Sequence, residues 1–407
     1  MQKNENFDSF IKLTNYCQNN SYEGWDPYDG LNSKIFQTSP LKYSAFFRLA
    51  WIQFFKLSPV DLRRLLLVSK GYNAKGIGLF LSGYCNLFEI LKNDCDAFSK
   101  EITLENCTKN IVFLADKLIE LQSPGYSGAC WGYNFDWQNR VFFQPKGTPT
   151  IVATSFISNS LFEAYEITKV EKYKKIALSS ANFVLKDLYR TKKENGFIFS
   201  YSPLDKSCVY NASLLGSRLL AKCFHYTGNI EYRDLSLKSL FSVISKQNTD
   251  GSWVYGEATS QKWIDSFHTG FDLECIYEIM KYTSDQSCKD EFEKGMKFYL
   301  NNFFLENGIP KYYNNKIFPL DIHSPAQLIA TLVKTNLFKE NSEIANKVID
   351  WTCKNMQSKK GFFFYQIKKM FSSKIAYMRW SQAWMFYAFS LYFKAIIIDS
   401  EKLDSEI

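Results

Sequence analysis

The stretch QNTDGSWVYGEATSQKWIDSFHTGFDLE, residues 247–274, decides the fold. It contains the end of one helix, a glycine turn, an aromatic arm and the start of another helix. Gly251 can adopt the positive φ that a sharp helix end requires. Asp265 stands just before the apolar-periodic run FDLECIYEIM, where its carboxylate can cap the first turn. The stretch therefore predicts two helices joined by a structured turn, with His268 at the mouth of the second helix.

The same pattern recurs along the chain. Further turns are ENGFIFSY (194–201), ENGIPKYY (306–313) and QSKKGFFFYQ (357–366). Their glycines, together with Gly251, are separated by 55, 57 and 53 residues. Helix starts follow each turn at separations of 57, 55 and 57 residues, with Asn211, His268, His323 and Trp380 as anchors. A fixed period of this length indicates one supersecondary unit stacked repeatedly, here a helical hairpin.

The repeat predicts an all-α protein, an α/α toroid of six to seven helical hairpins with an inner and an outer ring. Helices rich in Lys and Glu should face water, and helices rich in Ala, Leu and Phe should form the inner ring. We expect a single domain over residues 1–407, with irregular N-terminal hairpins (1–122), regular repeats (123–398) and a tail (399–407). The N-terminal part should contain helices at about 7–17, 42–56 and 59–68.

Composition excludes several classes of function. The net charge of +8 is spread along the sequence, and no nucleic-acid-binding motif is present. The ten cysteines form no CxxC pair and the N-terminus lacks the apolar core of a signal peptide, so we expect a cytoplasmic protein. The most apolar segment, 384–398, contains Lys394 and is predicted to be a buried helix rather than a membrane span. No metal-ligand spacing and no phosphate-binding or dinucleotide motif occurs, so neither a metal nor a cofactor is predicted.

A ring of parallel inner helices gathers all their N-termini at one end, where free N–H groups and partial positive charges meet. The candidate site residues are those that this geometry brings to the mouth. The candidates for catalysis are His268, His323, Asp265, Asp29 and Asp136. The candidates for substrate binding are Asp26, Trp131, Asn211, Trp263, Arg379, Trp380 and Gln382.

Two chemistries remain open for these residues. A carboxylate beside an imidazole, as Asp265 is beside His268, orients the ring and raises its basicity for acid–base work. Alternatively, two of the loop carboxylates Asp26, Asp29 and Asp136 could flank a glycosidic bond as acid and base. The competing structural interpretations are helix capping for the histidines and turn formation for the aspartates.

The segment QNTDGSW (247–253) resembles the Q-x-x-x-G-x-W turn of squalene cyclases and prenyltransferase toroids. The wider repeat resembles the α/α-toroid superfamily, which includes six-hairpin glycosidases, unsaturated glucuronyl hydrolases and N-acylglucosamine 2-epimerases. The segments WDPYDGLNS, GACWGYNFDW and FHTGF are similar to toroid proteins that accompany surface-polysaccharide biosynthesis. The aspartate-rich signature of terpenoid cyclases and the zinc ligands of prenyltransferases are missing.

The resemblance implies a carbohydrate-active enzyme of hydrolase, lyase or epimerase type, acting on a glycan or an activated sugar in surface-polysaccharide metabolism. The alternatives are a non-catalytic glycan-binding or scaffold protein of a polysaccharide-assembly complex and, with less support, an isoprenoid-binding toroid. Each inner helix begins with hydrogen-bonding side chains that a hydrocarbon ligand would leave unpaired, at roughly 1–3 kcal/mol apiece. Arg379 and the net positive charge favour an anionic carbohydrate ligand, and polysaccharide-biosynthesis enzymes are possible partners.

Overall fold

The computed structural model describes residues 5–98, 101–138 and 143–404, with side chains described to residue 398. In this part of the chain the α-helices are α1 (Glu5–Asn19), α2 (Lys34–Thr38), α3 (Ala45–Leu57), α4 (Ala74–Asn93), α5 (Leu104–Glu120), α6 (Ile151–Thr168), α7 (Glu171–Lys186), α8 (Tyr210–Thr227), α9 (Ile230–Ile244), α10 (Ser266–Thr283), α11 (Lys289–Phe303), α12 (His323–Lys334), α13 (Ser342–Met356) and α14 (Trp384–Asp404). A π-helical turn, Met378–Ala383, leads into α14.

Short antiparallel strands lie in the connections between helices. Strand β1 (Trp137–Gln138) pairs with β2 (Phe143–Gln144), and β3 (Arg190–Lys193) pairs with β4 (Gly196–Phe199). Strand β5 (Leu320–Asp321) pairs with β6 (Gln366–Ile367), which pairs in turn with β7 (Ser372–Ser373). These strands belong to the loops that lead from outer helices into inner ones, so they surround a single end of the molecule.

Six helices form a closed inner ring in the described part of the chain. Helices α4, α6, α8, α10, α12 and α14 each pack against the next, and α14 packs back against α4. Most residues of these helices are buried, including most of the segment 384–398, which is an inner helix as the sequence predicted. The predicted toroid is confirmed, with six hairpins rather than seven.

The N-terminal helix α1 completes the outer ring beside α5, α7, α9, α11 and α13. The turn glycines show this directly. The Cα of Gly251 faces the backbone carbonyl of Lys294 in α11 so closely that a Cβ would lie 2.5 Å from the oxygen, and Gly361 faces the carbonyl of Lys12 in α1 in the same way. The turn after α9 contacts the next outer helix, α11, and the turn after α13 contacts α1 in the same way. Helix α1 therefore occupies the sixth outer position.

The predicted helix at 59–68 is wrong, because this segment forms a bend and a single turn joined by irregular backbone. Arg63 is fully buried there, and its guanidinium donates to Asp29 Oδ1 (2.7 Å) and to the Asp26 carbonyl (2.7 Å). A positive φ of 55° at Leu67 closes the turn that begins at Arg63, so the backbone does not continue as a regular right-handed helix. Helix α3 and this segment lie outside the two rings, beside the end where the inner helices begin.

The predicted tail, 399–407, is partly helical, since α14 runs to Asp404, and its last three residues lie outside the described residues. None of the described helices is both long and apolar enough to cross a bilayer.

Candidate functional site

A cavity of about 510 Å³ opens at the N-terminal ends of the inner helices. Its wall includes first-turn residues of five of them: Lys75 of α4, Val152 of α6, Asn211 of α8, His268 of α10 and His323 of α12. The π-helical turn before α14 adds Arg379 and Trp380. The volume is in the range of small-molecule sites.

Aromatic rings make up most of the remaining wall. They are Tyr28, Tyr133, Phe135, Trp137, Tyr201, Tyr255, Trp263, Phe267, Phe271, Tyr312 and Tyr313. The charged groups of the wall are the cations of Lys56, Lys75 and Arg379 and, when protonated, the two imidazoles. No described residue of the wall carries a carboxyl group. The cavity therefore combines stacking surfaces with positive charge.

His268 and Asp265 form a hydrogen-bonded pair at the mouth of α10. The Asp265 carboxylate caps the helix by accepting the backbone N–H of His268 (3.0 Å), and it also accepts from His268 Nδ1 (2.8 Å) and Trp263 Nε1 (2.9 Å). Asp265 is buried and His268 retains some exposure towards the cavity. With Nδ1–H donated to the carboxylate, Nε2 is left as the basic nitrogen. The geometry suits a general base.

His323 lies deeper, at the first position of α12, and is 1% exposed. Its ring stacks on Phe267 with centroids 4.4 Å apart, and Phe267 lies 3.9 Å from the ring of His268, so one phenyl ring lies against both imidazoles. Neither nitrogen of His323 has a hydrogen-bond partner among the described residues. Burial lowers its pKa well below the usual value, and the nearby cations of Lys75 and Arg379 lower it further. His323 is therefore a neutral imidazole at neutral pH, with unpaired nitrogens that call for a ligand or water.

Lys75 is a site residue that the sequence did not reveal. Its Nζ lies 4.3 Å from the ring centroid of Phe156, 5.0 Å from Phe271 and 5.3 Å from Trp384. No described residue forms a hydrogen bond or an ion pair with it. Burial lowers the pKa of Lys75 well below its usual value, and Arg379 and Arg218 lower it further. An anion entering the cavity would supply the partner that this lysine lacks.

Arg379 is fixed by Asp26. The guanidinium donates through Nε to Asp26 Oδ2 (2.5 Å) and through Nη2 to Oδ1 (2.8 Å), and both side chains are buried. The Arg379 carbon Cζ lies 5.3 Å from the ring centroid of Tyr133 and 5.2 Å from that of Trp380. A bidentate pair of this kind holds the guanidinium plane in one orientation. Asp26 thus lies behind Arg379, one layer away from the cavity.

The other predicted carboxylates also stand back from the cavity. Asp29 is buried against Arg63, and burial raises its pKa to about 6 although the guanidinium acts to lower it. Asp136 accepts the backbone N–H of Lys146 (2.7 Å) and lies near Gln37, outside the cavity wall. Asp29 also accepts the backbone N–H of Asp26 (2.9 Å), so its contacts and those of Asp136 support the turn-forming interpretation, and the ion pair with Arg63 is an addition that the sequence did not predict.

Of the predicted binding residues, Asn211, Trp263 and Trp380 join Arg379 in the wall, whereas Asp26, Trp131 and Gln382 do not. Trp131 is fully buried, and its indole donates to the Leu118 carbonyl (2.7 Å) at the end of α5. Gln382 is fully buried and bridges the N–H and the carbonyl of Phe363. Both side chains fix loops to helices.

Asp321 supports the site from behind. One of its oxygens, Oδ1, accepts from the His323 backbone N–H (2.9 Å) and from Trp380 Nε1 (2.9 Å), while Gln366 donates to Oδ2 (2.5 Å). Burial raises the pKa of Asp321 to about 6. The carboxylate therefore positions both an imidazole and an indole of the wall.

A polar cluster closes the barrel below the cavity. Glu163 of α6 accepts from Lys334 (3.1 Å), Ser82 (2.5 Å) and Asn159 (2.9 Å), and Lys222 donates to Asn159 (2.5 Å). These residues come from α4, α6, α8 and α12, two to four turns past the helix starts. The cluster forms a hydrogen-bonded floor.

Neither a family model nor a curated relative matches the chain. Solved structures do. A cellobiose 2-epimerase from Bacillus thermoamylovorans superposes with a TM-score of 0.61 at 12% identity, covering 80% of this chain and 88% of that one. An unsaturated glucuronyl hydrolase specific for heparin gives 0.61 at 13% identity over 97% of both chains. The chain shares their α/α-toroid fold.

A family 76 α-mannanase from Bacteroides thetaiotaomicron extends the likeness, with a TM-score of 0.56 at 14% identity over 80% of this chain and 88% of that one. At these identities the likeness concerns the fold. The chemistry depends on the side chains of this cavity.

Proposed function

We propose that the protein is a carbohydrate-active enzyme that transfers a proton at the carbon next to the carbonyl of an anionic sugar, as an epimerase or isomerase does. The observation that carries the proposal is the Asp265–His268 pair at the edge of an aromatic, cationic cavity. The carboxylate fixes the imidazole, the aromatic rings offer stacking surfaces for a pyranose, and the cations favour a ligand that carries a carboxylate or a phosphate.

The chemistry follows from the placement of the two imidazoles. His268 Nε2 removes a proton from the carbon next to the carbonyl of the open-chain sugar, and the electron pair of that C–H bond moves into an enediolate. Return of a proton to the opposite face of the same carbon gives the epimer, and return to the neighbouring carbon gives the isomer. The His268 imidazolium then returns the proton, directly for isomerisation or after the enediolate rotates in the cavity for epimerisation, and the neutral His323 would donate an N–H hydrogen bond to an enediolate oxygen. The reaction consumes no other reactant.

The cations of the wall would stabilise the enediolate. Arg379 is held rigidly by Asp26, so its charge needs no reorientation as the negative charge develops. Lys75 lies among three aromatic rings and would gain a charged partner when an anion binds. A carboxylate or phosphate on the sugar would meet these same groups.

Hydrolysis by paired carboxylates has less support. That mechanism places two carboxyl groups on either side of the glycosidic bond. The carboxylates that the sequence offered, Asp26, Asp29 and Asp136, are engaged with Arg379, Arg63 and the backbone N–H of Lys146 respectively. Proton transfer by the imidazoles requires no such pair, and similar folds include proteins named cellobiose 2-epimerase and D-mannose isomerase.

The biological setting belongs to the same proposal. A role in surface-polysaccharide metabolism, beside polysaccharide-biosynthesis enzymes in the cytoplasm, rests on the sequence similarity of the loop segments alone. An anionic sugar is a common building block of such polymers, which makes the setting compatible with the cavity.

Proton exchange in D₂O tests the enzyme proposal whichever product is formed. A panel of reducing sugars, including uronic acids, sugar phosphates and their neutral parents, is incubated with the protein and followed by proton NMR. We expect loss of the signal from the proton next to the carbonyl, with an anionic sugar preferred. His268→Asn should lower the exchange rate at least ~100-fold, as removal of a general base does.

The control is His225→Gln, because His225 packs on Tyr226 and Tyr282 near the far end of α8. It should exchange at the wild-type rate. If calorimetry shows that an anionic sugar binds but no sugar of the panel incorporates deuterium, the protein is a non-catalytic binding protein rather than an enzyme. Wild-type exchange by a folded His268→Asn variant would refute the assignment of the base.

A further inference from the structure

Exposed apolar side chains are concentrated beside the cavity mouth, on the segment between α1 and α4. Tyr43 is 79% exposed, Phe46 is 73% exposed and Leu65 is 73% exposed. Soluble proteins expose single apolar residues routinely, but contiguous apolar patches mark interaction sites. The concentration of these side chains on one segment therefore indicates an interaction surface.

Helix α3 carries the centre of this surface. Phe46, Phe47, Phe54 and Leu57 are all exposed and lie at helical spacings that place them along one side. The opposite side of the helix is buried through Ile52 and Phe55, the first of which packs against Leu31 and Phe36. The exposed side thus presents a row of phenyl rings that no described element covers.

A second element extends the row. The hairpin formed by β6 and β7 has Met370 (92% exposed) and Phe371 (42% exposed) at its tip. Lys368 of this hairpin donates from Nζ to the Leu57 carbonyl at the C-terminal end of α3, at 3.5 Å. We call the exposed side of α3 together with Met370 and Phe371 the apolar rim.

The two segments that carry the apolar rim are rich in positive charge. Residues 34–70 contain seven Lys and Arg but a single acidic residue, Asp61, and residues 366–374 contain three Lys and no acid. Arg63 is buried against Asp29, whereas Lys34, Arg64, Lys70, Lys369 and Lys374 are exposed. These two segments therefore add an excess of positive charge to the surroundings of the rim.

We propose that the apolar rim binds the surface of an anionic lipid bilayer. Phenyl rings and aliphatic side chains flanked by Lys and Arg are what an interfacial helix uses, since the rings enter the headgroup region and the cations meet acidic headgroups. Charge complementarity selects an anionic bilayer over a neutral one. A second copy of the chain would bring the same positive charge to the contact and would be repelled.

The orientation of α3 links this surface to the cavity. Leu49, Gln53 and Lys56 of the same helix line the cavity. A protein seated on its apolar rim would hold the cavity mouth beside the lipid headgroups, so that a ligand displayed at the bilayer could enter.

Vesicle co-sedimentation of the full-length protein tests the proposal. One set of vesicles contains phosphatidylcholine alone, and the other contains phosphatidylcholine with about 30% phosphatidylglycerol, which gives the surface a negative potential. We expect binding to the anionic vesicles, weakening as salt is raised. Phe46→Ser combined with Met370→Ser should lower the partition coefficient at least ~10-fold, because two apolar side chains no longer enter the bilayer.

The matched control is Ile230→Ser on α9, which removes an exposed apolar side chain far from the rim (57% exposed) and should bind like the wild type. Lys369→Glu with Lys374→Glu should weaken binding to the anionic vesicles only. Circular dichroism melting checks that every variant is folded. The proposal is overturned if the wild type does not bind anionic vesicles or if the Phe46/Met370 variant binds them as well as the wild type. It is also overturned if light scattering shows that the wild type is a dimer and that this variant is a monomer.

Discussion

Replacing Gly251 by alanine should lower the free energy of unfolding by more than the conformational cost of a positive φ, because the new Cβ also clashes with α11. Gly251 has φ of +92°, and an alanine there costs about 1 kcal/mol for the left-handed conformation. The added Cβ would also lie 2.5 Å from the Lys294 oxygen and 2.8 Å from its carbon. These atoms are helix backbone, so relief requires the turn and α11 to separate, which adds about 1–3 kcal/mol. The expected total is about 2–4 kcal/mol.

Gly228 is the control for this substitution. It also has a positive φ (+69°), at the end of α8, but a Cβ there would meet nothing within 4 Å. Gly228→Ala should therefore cost only the conformational part, about 1 kcal/mol. The assay is urea unfolding followed by circular dichroism, with the midpoints compared at an unchanged slope. Equal losses in the two variants would show that the turn absorbs the clash and that the close contact between repeats contributes nothing.

Two further predictions concern the cavity and its floor. Burial acts to raise the pKa of Glu163, but Lys334 and Lys222 outweigh it and hold the pKa at about 2. This carboxylate contributes up to about 3 kcal/mol to stability above the ordinary pKa of 4.5, and the contribution is lost as pH falls towards 2. Urea unfolding should therefore show that the free energy of unfolding falls less between pH 5 and pH 3 in Glu163→Gln than in the wild type. Lys75→Met should leave the melting temperature unchanged or raise it, because an apolar chain replaces a buried, unpaired amine. Calorimetry should show at least ~10-fold weaker binding of anionic sugars by this variant. An unchanged affinity would show that Lys75 does not bind the ligand.

The repeat made the fold predictable from the sequence. Glycines spaced by 53 to 57 residues mark the turn that follows each of four outer helices, although each helix ends five to ten residues before its glycine. The cap at Asp265 and the anchor His323 stand at the starts of α10 and α12. Periodicity did not reveal that α1 closes the outer ring. That contact joins Gly361 to Lys12 across nearly the whole chain, and nothing local in the sequence of either segment indicates it.

The sequence predicted the wall residues Asn211, His268, His323, Arg379 and Trp380 near the starts of inner helices, but it misjudged the loop carboxylates and missed Lys75 at the start of α4. Asp26 and Asp29 looked available because the sequence does not show that Arg379 and Arg63 would reach them. Lys75 was missed because it stands among small and apolar residues at the start of α4 with no motif around it. Ion pairing over 34 and 353 residues is a tertiary property, so the availability of a carboxylate cannot be judged from its neighbours in sequence.

The repeat could have indicated that Trp131 has a structural role. Its indole donates to the Leu118 carbonyl at the end of α5 (2.7 Å), just as the indole of Trp253 donates to the Val243 carbonyl at the end of α9 (3.2 Å). Both tryptophans follow an outer helix and a glycine turn. Alignment of the two segments as repeats would have assigned Trp131 the structural role of Trp253.

The electrostatic layering of the cavity decides what ligand it suits. Asp265, Asp26 and Asp321 each lie one layer behind a group of the wall and hold His268, Arg379 and Trp380 in place. The wall itself offers cations, imidazoles and rings, and Lys75 has no counter-charge within hydrogen-bonding distance among the described residues. A neutral sugar would leave that lysine without a counter-charge, and Asp26 would remain the only carboxylate paired with Arg379 among the described residues. A ligand that carries its own negative charge would pair with both groups. Because a bound anion raises the pKa of the Lys75 ammonium, the affinity of that ligand should fall as pH rises.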